Sequence, residues 1–296
     1  MQFDQLIIIG VGGTGTHLLE PLVRLLGYHK NQTKNVMIID GDKYEEKNRI
    51  RQLFSKSYVG KNKAEASAER VAFEGFTVTP VQGYINKIDF CDVILDSIPD
   101  VAKKNLLVIT SVDNHATRKD IITALDDRNQ QNFVLISPGN DFDMGQVIVY
   151  AKKDGKNLTC HPFENFPDLK EPKDRIPGGC AEQAPSTPQL ITANASAALG
   201  CLLIVSAMLE GNPWYDQVHF DCKKMKLVPN GDPILSEVPA PDPALAPMAA
   251  GEGIEVPPKP ETVVSTQETV ETVEMVIEAK KDVAVPEVRQ EASATN

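Results

Sequence analysis

Short apolar runs alternate along this chain with longer stretches in which apolar residues return every three or four positions. The runs at 5–10, 35–40, 77–83, 105–112 and 132–137 read as strands, and the stretches 14–27, 61–75 and 115–130 between them read as helices. Strand and helix alternating at this interval predict an α/β fold. Its core is a mostly parallel, twisted sheet with helices on both faces, joined by right-handed crossovers. Runs at 145–151, 217–222 and 225–228 read as later strands that extend the sheet in the antiparallel sense. Residues 186–210 form a long apolar helix suited to a core or a subunit interface. Pro21 interrupts the first helical pattern at a cost of about 3 kcal/mol, so the helix kinks there or is shorter than its pattern. Residues 152–179 are polar and rich in proline, which predicts a long mobile loop.

Composition divides the chain in two. Residues 229–296 hold no aromatic side chain, 13 acidic against 4 basic residues, and 10 of the 21 prolines. So little apolar surface under so much like charge cannot offset the entropy of ordering the backbone. The stretch 229–296 therefore reads as an acidic, Pro-rich disordered tail, a solvated tether after one folded domain at 1–228. The whole chain carries −11, and removing the tail's −9 leaves only −2 on the domain. A nearly neutral domain argues against nucleic acid as a partner. The apolar runs fall short of a membrane span, and residues 1–5 lack the basic start and apolar core of a signal peptide. The five cysteines form no C-x-x-C pair, which predicts neither a disulfide framework nor a zinc ribbon and favours a reducing, cytoplasmic setting.

The first candidate chemistry follows the first strand. Gly10, Gly12, Gly13 and Gly15 lie in Gly10-Val11-Gly12-Gly13-Thr14-Gly15, a G-x-G-x-x-G turn between strand and helix, as in a Rossmann-like nucleotide site. Free N–H groups and the helix dipole favour a phosphate there. Asp40 ends the second strand, where an acid meets ribose hydroxyls. An NAD(P)-dependent oxidoreductase fits these two features equally well, with His115 and His161 as its candidate acids or bases. The next residues shift the reading. Asn48 can donate to a phosphate oxygen, Arg51 can meet a triphosphate in bidentate fashion, and Lys63 opens the next helix within reach of the same charge. Asp113 falls at the carboxyl end of the fourth strand, where it can hold Mg²⁺ between phosphates or, like Asn114, simply cap the following helix.

Taken together, G-x-G-G-x-G at 10–15, D-x-D at Asp40 and Asp42, N-x-x-R-Q from Asn48 to Gln52, G-x-x-K at 60–63 and D-N-x-x-x-R at 113–118 resemble the ThiF/MoeB branch of the ubiquitin-activating-enzyme superfamily. The segments G-D-K-Y-E-E-K-N, V-G-K-N-K-A and P-G-N-D-F-D-M-G-Q are similar to ThiF-like proteins of PRTRC gene systems. The resemblance implies an ATP-dependent adenylyltransferase that activates the C-terminal carboxylate of a small ubiquitin-like protein, as a homodimer. It assigns Asp40 to the ribose, Asn48, Arg51 and Lys63 to the phosphates, and Asp113 to Mg²⁺. Cys180 falls where ThiF-like members can carry a cysteine that receives the activated carbonyl, and an inert buried thiol is the equal alternative. Cys91, Cys201 and Cys222 read as core, in strands or the long helix. A third reading is a non-catalytic scaffold that keeps the nucleotide fold and recruits partners through the tail.

Overall fold

The structure is a computed structural model, and it describes residues 1–72, 75–172 and 189–235. The elements run β1 (Gln5–Ile9), α1 (Gly13–Tyr28), β2 (Asn35–Asp40), α2 (Lys63–Val71), β3 (Thr77–Gln82), α3 (Lys87–Asp89), β4 (Leu106–Thr110), α4 (His115–Asp127), β5 (Phe133–Asn140) and β6 (Met144–Lys153). They continue through β7 (Lys156–Asn157), α5 (Pro162–Asn165), α6 (Pro167–Lys170), α7 (Ile191–Glu210), β8 (Gln217–Asp221) and β9 (Lys226–Asn230). The main strand order is β3-β2-β1-β4-β5-β6-β8-β9, with β7 beside β6. Every pair from β3 to β5 is parallel, and β6, β8 and β9 continue antiparallel. The order reverses between β1 and β4, so their carboxyl ends flank the crevice where ligands of such sheets bind.

β1 reads Gln-Leu-Ile-Ile-Ile and is buried throughout because both of its faces are covered. Leu6 and Ile8 enter a core shared with α1, α2 and α7, whereas Ile7 and Ile9 enter a second core with α4 and the turns near Phe90. The period of two along the strand thus sorts side chains between two helix layers, as the sequence predicts.

Several boundaries differ from expectation for identifiable reasons. α1 runs unbroken past Pro21, which is exposed, so the carbonyl deprived of a partner can meet water. Residues 152–172 are not one loop: β6 ends at Lys153, β7 hairpins back onto it, and α5 and α6 follow. Both short helices open on a proline, Pro162 and Pro167, where its missing N–H costs nothing. The rest of that predicted loop, 173–179, and Cys180 lie outside the described residues. The domain does not end at 228, because β9 includes Pro229 and Asn230, and Ile234 bridges to Trp214. Residues 236–296 of the predicted tail lie outside the described residues. Cys91 is buried in a short helical stretch rather than a strand, and Cys222 is only half-buried, just past β8. α7 is long and apolar enough to cross a membrane by length and composition, contrary to the sequence reading, but half of that span is buried within this fold.

Candidate nucleotide site

The glycine turn is built for close approach. Gly10 has φ +87°, and a Cβ there would lie 2.9 Å from the Ser111 carbonyl oxygen at the end of β4. A Cβ on Gly15 would lie 2.3 Å from the Gly10 carbonyl, so neither position tolerates a side chain. α1 then begins with its first N–H groups at the carboxyl edge of the sheet, a ready anion site.

Asp40 is oriented before any ligand arrives. The Val11 N–H donates to its Oδ2 at 2.7 Å and the Asp42 N–H to its Oδ1 at 2.9 Å. Burial raises its pKa above the usual carboxylate value even though Lys63 and these two N–H groups oppose the rise. Lys63 is buried at the start of α2 and donates to Asp42 Oδ2 at 2.8 Å. Burial would discharge this lysine, but Asp40 and Asp42 outweigh it and hold its pKa above the ordinary value. For Asp42, burial pushes upward, and Lys63 with the Tyr84 hydroxyl pulls the net value down. Tyr84 donates to Asp42 Oδ1 at 2.5 Å, and its ring rests on the backbone of Gly41. Asn62 caps α2 through Ala64 and Glu65, and its amide nitrogen donates to the carbonyls of Asp40 and Asp42. One asparagine therefore locks the start of α2 to the end of β2, and so Lys63 to the acids.

The cationic side of the site comes from the turn after β2. A short 3₁₀ segment, Glu46–Ile50, carries Asn48, whose Oδ1 accepts from the Glu45 N–H at 3.0 Å. That leaves its amide nitrogen as the group able to donate outward. The next turn brings Arg51 against the first residue of α1: a Cβ on Gly13 would lie 3.0 Å from Arg51 Nη1 and 2.3 Å from Asn194 Oδ1. Arg51 Nη1 donates to Gln189 Oε1 at 3.0 Å, and the Arg51 carbonyl meets His17 Nε2 at 3.2 Å. Gln52 is buried, its Nε2 is 3.8 Å from the position of a Cβ on Gly12, and its Oε1 has no hydrogen-bond partner among the described residues.

On the other side of the crevice, Asn114 caps α4 by accepting from the Thr117 N–H at 2.8 Å. The cap that Asp113 was an alternative for is thus taken by its neighbour, and Asp113 is exposed at the carboxyl edge. Arg118 is buried and braces the ends of β4 and β5, donating to the carbonyls of Thr110, Val112 and Pro138 and to the Ser137 hydroxyl. The described residues hold no group of three or more His, Cys, Asp or Glu side chains able to cage a metal. A single carboxylate suits Mg²⁺ that takes its other oxygens from phosphates and water.

The predicted residues therefore gather in two groups. Gly10, Gly12, Gly13, Gly15, Arg51 and Gln52 lie around the start of α1, with Asn48 on the short segment just before Arg51, and Asp40, Asp42 and Lys63 lie at the end of β2, while Asp113 stands apart, past the end of β4. Sequence reasoning missed Tyr84, Gln189, Asn140 and Asn194. Nothing local marks the last three, because they come from more than 125 residues beyond Thr14. His161 belongs elsewhere. It contacts Asp126 Oδ2 at 2.9 Å, and Tyr150 and Lys152 also donate to Asp126. Lys152 is paired with Phe133, the first residue of β5, so this cluster sits at the opposite edge of the sheet from the glycine turn. It is poorly placed to serve as the base of an oxidoreductase.

A doubly wound sheet with a glycine turn, an acid ending β2 and an arginine laid over the first turn of α1 defines a Rossmann-like fold of the α/β class with a candidate nucleotide site at its carboxyl edge. The chain belongs to the ThiF family, whose profile matches residues 2–243. No curated protein matches the chain in sequence. Its fold is similar to that of PaaA, at 17% identity and a TM-score of 0.51, over 79% of this chain and 64% of PaaA. It is also similar to E. coli MccB in a structure with AMPCPP and MccA, at 19% identity and a TM-score of 0.55, over 80% of this chain and 65% of MccB. A structure of E. coli MccB with ATP gives 19% identity and a TM-score of 0.52 over the same shares. The chain thus spans 64–65% of the length of these relatives.

Proposed function

We propose that this protein is an ATP-dependent adenylyltransferase that activates the C-terminal carboxylate of a small ubiquitin-like protein. The observation that carries the reading is the arginine at the helix: Arg51 places a full positive charge against Gly13, where the N–H groups of α1 already favour an anion. A dinucleotide needs no such cation beside its phosphate turn, whereas a triphosphate does. Family membership and the MccB structures with ATP, AMPCPP and MccA support the same chemistry.

In this reading Asp40 accepts from the ribose hydroxyls. The substrate carboxylate attacks the α-phosphorus of ATP, the bond to the β-phosphate oxygen breaks, and acyl adenylate and pyrophosphate result. Arg51, Lys63 and the amide of Asn48 meet the charge that builds on the phosphates. Gln52, buried and short of one donor, takes a hydroxyl or water at the same turn. Positioned charge of this kind supplies most of the acceleration in phosphorus transfer. Asp113 would hold Mg²⁺, which when bound neutralises charge between phosphate groups. Cys180, outside the described residues, is the candidate acceptor of the activated carbonyl.

A second copy of this chain is the proposed partner of α7, whose outward face exposes Ile191, Leu199 and Leu203 at 43%, 48% and 50%. Sedimentation should give twice the chain mass, and a monomer at micromolar concentration would remove the homodimer. The enzymatic reading is tested by isotope exchange. With ATP, Mg²⁺, labelled pyrophosphate and a small ubiquitin-like protein that binds the chain, label should enter ATP, and the same protein ending in a C-terminal amide should give none. Exchange that ignores the carboxylate, or none with a partner that binds, would overturn the proposal.

A further inference from the structure

We infer that Gln189 is a positioning residue for Arg51, one that holds the guanidinium over the phosphate turn without neutralising it. The inference deepens the proposed function and rests on it.

Gln189 uses both ends of its carboxamide. Its Oε1 accepts from Arg51 Nη1 at 3.0 Å, and its Nε2 donates to the Asn140 carbonyl, the last residue of β5, at 3.2 Å. The amide can adopt only one orientation, because a guanidinium needs an acceptor and a carbonyl needs a donor. The backbone beside it is fixed as well, since the Leu190 N–H donates to the Phe142 carbonyl in the β5–β6 turn at 3.0 Å. The same corner is closed by Thr14, whose Oγ1 reaches Asn140 Oδ1 at 3.3 Å and Asn194 Oδ1 at 3.4 Å. Asn194 is buried against Gly13 and donates to the Leu190 carbonyl. Gln189 thus connects the arginine to the frame that carries the start of α1.

Arg51 has no other side-chain partner among the described residues, and its neighbourhood explains why the tether is neutral. A carboxylate in this place would form an ion pair with the guanidinium and compete with phosphate for its remaining donors. A neutral acceptor fixes the geometry and leaves the charge intact. An arginine held in advance loses less rotamer freedom when the ligand arrives, which is the general advantage of preorganisation.

Two substitutions separate these effects. Gln189→Met keeps the length and removes both hydrogen bonds, and Gln189→Glu keeps the acceptor and adds charge. Affinities for a nonhydrolysable ATP analogue and for adenosine are measured by calorimetry for wild type, Q189M, Q189E, R51A and R51A/Q189M. We expect Q189M to weaken the ATP analogue about tenfold and Q189E more than Q189M, with adenosine binding unchanged in both. In the R51A background Q189M should have no further effect, since its target is gone. If the single effects multiply instead, or adenosine weakens along with ATP, Gln189 only supports the fold and the inference is wrong. Wild type that binds no ATP analogue would instead bring down the proposed function, so the two failures are distinguishable.

Discussion

Arg51→Ala should lower carboxylate-dependent pyrophosphate exchange by at least about a hundredfold, the range seen when a single group stabilising developing charge is removed. The fold should survive. The Arg51 side chain is half-buried, and its single described side-chain bond is to Gln189. The melting temperature should therefore stay within a few degrees of wild type. Arg51→Lys should recover little, because an ammonium is a point charge without the planar fork that meets two phosphate oxygens. Exchange measured at saturating ATP, beside a thermal melt of each variant, checks both halves. Activity retained within threefold in R51A would remove Arg51 from the reaction.

Lys63→Met should damage both activity and stability. Lys63 is 5% exposed and pairs with Asp42, and breaking a buried pair by removing one partner leaves the other charge uncompensated. The Asp42 side chain keeps 28% exposure and the Tyr84 hydroxyl, so the loss should fall at or just below the low end of the usual range for a buried pair, about 2–3 kcal/mol. Over a domain of this size that is a fall of about 5–10 °C in melting temperature. The gap depends on pH with a definite sign. Asp42 is held below its usual pKa, so its contribution is fully present above the ordinary carboxylate value, about 4, and fades as pH falls through the lower folded value. Lys63 is held above its usual pKa, so its contribution is fully present below about 10.4 and fades as pH rises through the higher folded value. The difference between wild type and K63M should thus be full around neutral pH, shrink in acid as Asp40, whose pKa is raised, and then Asp42 take up protons, and shrink again as pH rises through the folded value of Lys63. A gap that grows in acid would mean that the Asp42 pair is not what stabilises this corner.

Much of this corner is legible in the sequence because each part sits at an element end. Asp40 closes an apolar strand, Lys63 opens a helix behind a capping Asn62, and the glycines join β1 to α1. Gln189 and Asn194 are legible only after folding, because α7 returns to the start of α1 from the far end of the domain. Tyr84 is one aromatic residue after a glycine, and its role depends on the close approach of its ring to Gly41. Proline sits within or at the start of regular structure in three settings, each for a different reason. Pro162 and Pro167 start helices, Pro21 lies on an exposed helix face, and Pro229 lies on β9, at the edge of the sheet, where a missing N–H faces no neighbouring strand. Arg118 was visible within a motif, but its work as a brace between β4 and β5 depends on carbonyls that only the sheet brings together.

The central claim is that this crevice is shaped for an adenine nucleotide with three phosphates. Calorimetric titration of the full chain with ATP, AMP and NADH in the presence of Mg²⁺ tests it most directly. ATP should bind at least about tenfold more tightly than AMP or NADH, because only ATP engages Arg51 and Lys63 through its outer phosphates. NADH binding as tightly as ATP, or AMP binding equally well, would contradict it.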